Sequence, residues 1–236
     1  MYESTQAANG MKYTYLLINF FSILVPLLFS FERRLQFFKF WKALFPAVLI
    51  TGIFFIVWDH YLTVWKVWSF NPDFITGYIL WDLPVEEWLF FITIPYSCLF
   101  IYESVNFISK KDPFQPISKN ISKVLIVILI VVALFNMDKS YTGIKLSLTA
   151  FLLIWVVLKD YPFMGKFYRA YLISMIPFFI VNGLLTSLPV VLYNDQENLG
   201  IRLGTIPVED TQYSLLLLLM NVCWYEYFKK KLKISE

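Results

Sequence analysis

Pro84-Val85-Glu86-Glu87 recurs as Pro207-Val208-Glu209-Asp210, 123 positions later. Each copy heads an apolar stretch long enough to cross a bilayer. Carboxyl groups beside hydrocarbon are costly and as a rule functional, as general acids and bases or as proton or ion sites. One copy alone reads as an ordinary helix start, with proline at the first helical position and acids in the first turn, where the helix dipole favours them. Two aligned copies in a membrane favour chemistry. Adjacent helical residues point ~100° apart. One acid of each pair can therefore face a shared interior while the other caps the helix or holds the first in place.

The repeat that positions these acids is longer than the motif. With the offset held at 123 and no gaps, residues 59–103 overlay 182–226 with eleven identities in 45 pairs. They are Leu62/Leu185, Thr63/Thr186, Val67/Val190, Asn71/Asn194, Gly77/Gly200, Leu80/Leu203, Pro84/Pro207, Val85/Val208, Glu86/Glu209, Tyr102/Tyr225 and Glu103/Glu226. Chance would give roughly three or four at this composition. Similar apolar helices explain matched Leu and Val, but not matched Asn, Gly and Glu. The expected organisation is a first repeat over 11–110, a connector over 111–140 and a second repeat over 141–236.

Composition places the chain in a bilayer. Of 236 residues 58% are hydrophobic and 20% aromatic, with mean hydropathy +0.62. Soluble domains are nearer 45–50% apolar. The expected fold is all-α, with seven spans over about 13–31, 43–61, 84–103, 121–137, 144–158, 169–189 and 210–228. The segment before Met11 is polar and reads as a tag or alternative start. No cleavable signal peptide is evident. Fifteen of the 20 basic residues follow odd-numbered spans; Lys12, Lys66, Lys139, Lys145 and Arg202 lie on the other side. The positive-inside rule then sets the N-terminus outside and the C-terminus in the cytoplasm, in the inner membrane if the source is bacterial. Spans two and three match spans six and seven, an even shift. Both acid motifs therefore lie at the outer face, as in a parallel repeat. Glu103 and Glu226 lie about 25 Å deeper at ~1.5 Å per residue, read as snorkelling among inner-face cations.

Several kinds of site are absent from the sequence. The one histidine, His60, aligns with Gly183 and reads as an interfacial hydrogen-bonder. Cys98 and Cys223 do not align in the repeat and read as apolar filler. No Gly-x-Gly-x-x-Gly occurs, so no Rossmann cofactor site is encoded. Asp73, Asp82 and Asp195 form no aspartate-rich metal motif. Dispersed basic residues argue against nucleic acid. What remains are carboxylates, aromatics and an apolar interior. Trp58, Trp65, Trp68, Trp81, Trp88, Phe70 and Tyr78 crowd the outer end of the first half, as an interfacial belt or as a cavity wall able to stabilise a cation. Asn71, Asn194, Gly77 and Gly200 are expected to set matching turns. Asp59 and Asn182 end spans two and six at the same level.

The Pro-x-Glu-Glu and Pro-x-Glu-Asp pair, each opening an aromatic-rich span, resembles the membrane-integral lycopene cyclases, a family found as two small subunits, as fused chains and as a domain of the fungal cyclase–phytoene synthase. The resemblance is best over 58–103 and 182–226. It implies no cofactor and no metal, lycopene or a related carotenoid as substrate, the lipid bilayer as surroundings and contact with other carotenoid-pathway enzymes. The layout is similar to UbiA-type prenyltransferases. It further implies an isomerisation without net redox change. An acid protonates C2 of the terminal alkene, C1 becomes cationic, the C5=C6 bond closes on C1, and a base takes a proton, from C6 if the ring is β. Glu86 and Glu209 are the expected acid/base pair, with Glu87 and Asp210 supporting them. Asp59, Asn182, Trp88, Phe91 and Tyr213 are expected to meet the substrate. A prenyltransferase, which would require Mg²⁺ and a diphosphate, and a non-enzymatic transporter are the rival readings.

Overall fold

The structure is a computed structural model and describes residues 11–234. The polar segment over 1–10, read above as a tag or alternative start, lies outside the described residues. Seven long helices dominate: α1 Thr14–Phe29, α2 Trp41–Val64, α3 Val85–Ile108, α4 Ser118–Phe135, α5 Ser140–Lys159, α6 Met164–Ser187 and α7 Val208–Lys231. Among the described residues, five stretches are apolar and long enough to cross a membrane: Phe37–Val64, Val85–Ile108, Gln115–Phe135, Tyr141–Lys159 and Met164–Ser187. The expected first and seventh spans fall outside that set. α1 has 16 residues, short of the ~20 that a span needs. α7 is long, but Gln212, Asn221, Glu226 and its tyrosines make its apolar middle too polar by composition. Its burial offsets this: Leu215 through Leu219 are all buried, so α7 is covered by protein on every side.

The repeat is visible in the hydrogen bonds. α2 packs against α7 and α3 against α6, so each half inserts its helices into the other, while α4 lies against α5, which packs on α7 in turn. β1 (Trp68–Phe70) pairs antiparallel with β4 (Val191–Tyr193), and Ser69 faces Leu192, its own counterpart at offset 123. Asn71 N donates to Val190 O at 2.9 Å and Asn194 N to Val67 O at 2.9 Å. At the other end Tyr102 donates to Glu226 at 2.7 Å and Tyr225 to Glu103 at 2.8 Å. Such reciprocal contacts require a pseudo-twofold axis running between the halves.

The loops repeat as well. In each half a hairpin delivers the chain to its acid-bearing helix: β2 (Ile79–Leu80) with β3 (Leu83–Pro84), and β5 (Arg202–Leu203) with β6 (Ile206–Pro207). Val85 N bonds Tyr78 O and Val208 N bonds Ile201 O, both at 2.9 Å. Gly77 and Gly200 hold φ of +91° and +70° at matching places, where a side chain would be strained. The Asn71 side chain accepts from Asp73 N, and that of Asn194 from Gln196 N, both at 3.1 Å. The expected matched turns are thus in place.

In hydrocarbon every freed backbone group needs a partner. Pro26 in α1 has no N–H, so Ser22 O loses its helical donor. The Ser97 hydroxyl of α3 lies 2.8 Å from that oxygen and restores the bond across the helix pair.

Candidate active site

Glu86 and Glu209 are fully buried at the first turns of α3 and α7. Each reaches back to the loop before its hairpin. Thr76 N donates to Glu86 Oε1 at 2.7 Å, and Leu199 N to Glu209 Oε1 at 2.6 Å. Thr142 Oγ1 adds a bond to Glu209 Oε1 at 2.8 Å. Their backbone carbonyls are held in the same paired way, Asn19 Nδ2 donating to Glu86 O at 2.9 Å and Lys145 Nζ to Glu209 O at 2.6 Å. These two glutamates therefore tie loop, helix start and neighbouring helix together.

Glu87 and Asp210, one residue further, point about 100° away and line a shared cavity. Asp59 near the C-terminal end of α2 lines it too. Tyrosines hold all three acids. Tyr15 donates to Glu87 Oε2 at 2.5 Å, and Tyr213 to Asp59 Oδ1 at 2.8 Å. Asp210 receives two such bonds, from Tyr141 and Tyr193, each at 2.7 Å. Burial and the neighbouring Asp210 carboxylate hold the Tyr193 phenol well above its ordinary range, so it remains a donor. Carboxyls that share a dry cavity repel unless one is protonated. Acids that share a dry cavity can thus retain a proton among them, while two tyrosine donors favour charge on Asp210.

The walls are aromatic. Trp68, Phe70 and Tyr193 come from the β1–β4 ribbon, which roofs the cavity, and Phe90, Phe178 and Tyr213 from the helices. Trp68 meets Tyr213 at 6.2 Å and Tyr193 at 5.9 Å between ring centroids. The enclosed space is about 70 Å³. Such faces can stabilise a cation without offering it a nucleophile. Among the described residues no group of three His, Cys, Asp or Glu side chains is set to hold a metal ion.

The sequence-predicted residues divide. Asp59, Asn182, Glu87, Asp210 and Tyr213 line the cavity; Glu86 and Glu209 do not. Trp88 turns outward, its Nε1 donating to Leu80 O at 3.1 Å, and Phe91 packs on Phe55 in the core, 5.8 Å between centroids. Neither lines the site. Glu103 does not snorkel: it is buried, bonded to Lys229 at 2.6 Å as well as to Tyr225. His60 stacks on Trp81, centroids 4.4 Å apart, with Nδ1 3.3 Å from Asp82.

Three contributors escaped the sequence reading. Lys145 was assigned to the outer surface because span five was begun at 144; α5 starts at Ser140, and the lysine is fully buried, 3.6 Å from the Tyr141 ring centre. A lysine inside an apolar stretch is itself the signal. Tyr15 and Tyr141 occupy matching positions, as do Asn19 and Lys145, at an offset of 126. The change from 123 to 126 hides α1 and α5 from an ungapped overlay.

Comparison with known proteins gives one family. The model of the family described as lycopene cyclase matches residues 12–105 and 138–228. The chain is similar to the bifunctional lycopene cyclase/phytoene synthase of Gibberella fujikuroi, 27% identical over 222 residues, which is 88% of this chain and 34% of the relative. The protein of the same description from Aspergillus oryzae is 32% identical over 80 residues, 34% of this chain and 13% of the relative. That from Fusarium fujikuroi is 26% identical over 175 residues, covering 68% and 26%. The chain thus spans at most about a third of the length of these curated relatives. No solved structure matches.

Proposed function

The chain belongs to the lycopene cyclase family, and from that premise we propose that it converts the linear ψ-ends of lycopene or a related carotenoid to rings, by acid–base isomerisation through a carbocation. One observation carries the reading: Asp59, Glu87 and Asp210 converge from both halves on a single aromatic-walled cavity.

In this mechanism the Asp59–Glu87 pair protonates C2 of the terminal alkene, leaving a tertiary cation at C1. The C5=C6 π bond attacks C1, forming the C1–C6 bond and moving the charge to C5. Asp210 then removes the C6 proton, whose bonding electrons restore the C5=C6 bond of a β ring. The substrate gains one proton and loses one, so no redox partner is required. Return of the proton from Asp210 to the Asp59–Glu87 pair resets the site. Trp68, Phe70, Phe90 and Tyr213 face the cationic intermediates. A hydrophobic enclosure keeps water from capturing them. Glu86 and Glu209, first expected to be the acid and base, take the positioning role here, because loop amides occupy a carboxyl oxygen of each.

The membrane arrangement follows the same reading. All seven long helices cross the bilayer as two repeats joined by α4, with the N-terminus outside and the C-terminus in the cytoplasm. The central test is expression in a lycopene-accumulating bacterium, followed by pigment chromatography. New monocyclic or bicyclic carotene is expected; unchanged lycopene, with the protein present and folded, would overturn the reading.

A further inference from the structure

The acid-bearing cavity continues beyond its own walls. Ile94, Phe178, Asn182 and Ser214 line it and also line an apolar groove of about 470 Å³ between α1, α3 and α6. Leu17, Phe21 and Val25 of α1 form one side of the groove, and Pro177, Val181 and Leu184 of α6 the other. Two of its hydroxyls are committed within the helix pair: Ser22 donates to Ile18 O at 2.7 Å and Ser97 to Ser22 O at 2.8 Å. The lining thus suits a hydrocarbon chain.

The other half provides an internal control. Its matching groove lies between α2 and α5, where Phe54, Val57, Tyr61 and Ile144 bound a separate pocket of about 340 Å³. That pocket shares no lining residue with the acid-bearing cavity. At offset 123, Trp58 stands where the open groove has Val181. Its indole packs on Phe54, centroids 5.8 Å apart, and lines the disconnected pocket, whereas Val181 lines the open groove. Two grooves therefore remain from the duplication, and one is connected to the acids.

On the cyclase reading above, we propose that the groove between α1 and α6 holds the unreacted polyene arm while one end occupies the cavity. A single connected groove admits one end at a time. A carotenoid cyclised at one end must then leave and turn round before its other end can react.

The test compares Val181→Trp, which copies the closed groove into the open one, with Ile144→Trp in the disconnected pocket. Leu17→Trp on the exposed rim of α1 serves as a second plug should Val181→Trp fail to fold. Each is assayed for lycopene cyclisation in membranes, with yield and detergent melting as checks of folding. The expected result is at least a tenfold loss in either plugged variant, with Ile144→Trp within twofold of the parent. Lycopene turnover within twofold in a folded plugged variant overturns the inference, as does an equal loss in Ile144→Trp. An inactive parent chain strikes at the cyclase reading instead, so the two failures are distinguishable.

Discussion

The outer ends of the two halves share a scaffold and differ in charge. The first half brings three carboxyls, Asp59, Glu86 and Glu87, to the site region; the second brings Glu209 and Asp210, together with Lys145. Asn182 stands opposite Asp59, and Lys145 opposite Asn19. Glu86 and Glu209 make the same loop-amide bond in both halves, whereas the cavity-facing groups have diverged. Retained bonds mark what holds the helix starts; diverged groups mark what has been specialised. One half is suited to keep a proton between two acids. The other is suited to carry an anion, with two tyrosine donors on Asp210.

The comparison is broken hardest at Glu87 and Asp210. Glu87→Gln or Asp210→Asn is expected to cut cyclisation by about 10²–10⁴-fold, the range of one general acid or base, in a pigment time course at matched protein level. Near-normal turnover in both would remove these residues from the chemistry. Next, Asp59→Asn gives the first half the second half's residue. Glu87 survives without its partner, so a loss of about 100-fold is expected, at the lower end of that range. A loss as deep as that of Glu87→Gln would make Asp59 itself the donor.

Lys145→Met tests the charge balance of the second half. It removes the Lys145 Nζ hydrogen bond to Glu209 O, worth about 0.5–1.5 kcal/mol, and should lower the melting temperature in detergent. Unchanged melting would show that the buried ammonium contributes no net stability. The smallest effect is expected for Glu86→Gln and Glu209→Gln, because an amide oxygen still accepts from Thr76 N or Leu199 N. Activity should stay within about tenfold, below the range of a lost general acid or base. If these variants lose as much as Glu87→Gln, the acid and base belong to the first residue of each pair.

Much of the architecture was legible in the sequence. Long apolar runs located the helices, and matched Asn, Gly and Glu residues revealed the repeat. Which acid faces inward was not, since neighbours on a helix differ by ~100° and either could do so. The amides of Thr76 and Leu199 decide it, and only the folded loops bring them there. Lys145 was hidden by a helix start placed four residues late, and Tyr15 and Tyr141 by a three-residue change in spacing. α7 fails a simple span criterion because of its polar residues; neighbouring helices bury Glu209, Asp210 and Asn221, which is a property of packing that composition does not reveal.

The clasps at either end of the pseudo-axis bear on how such a chain could be assembled. Each half offers the other a strand of the roof ribbon at one end and a Tyr–Glu step at the other, and receives nearly the same in return. A surface that is its own complement could also join two like halves, as in an isologous dimer. Joining unlike halves through α4 makes their encounter intramolecular, at an effective concentration set by the linker. Severing the chain there would turn partner choice into a competition, in which the unlike pair must win on contacts alone.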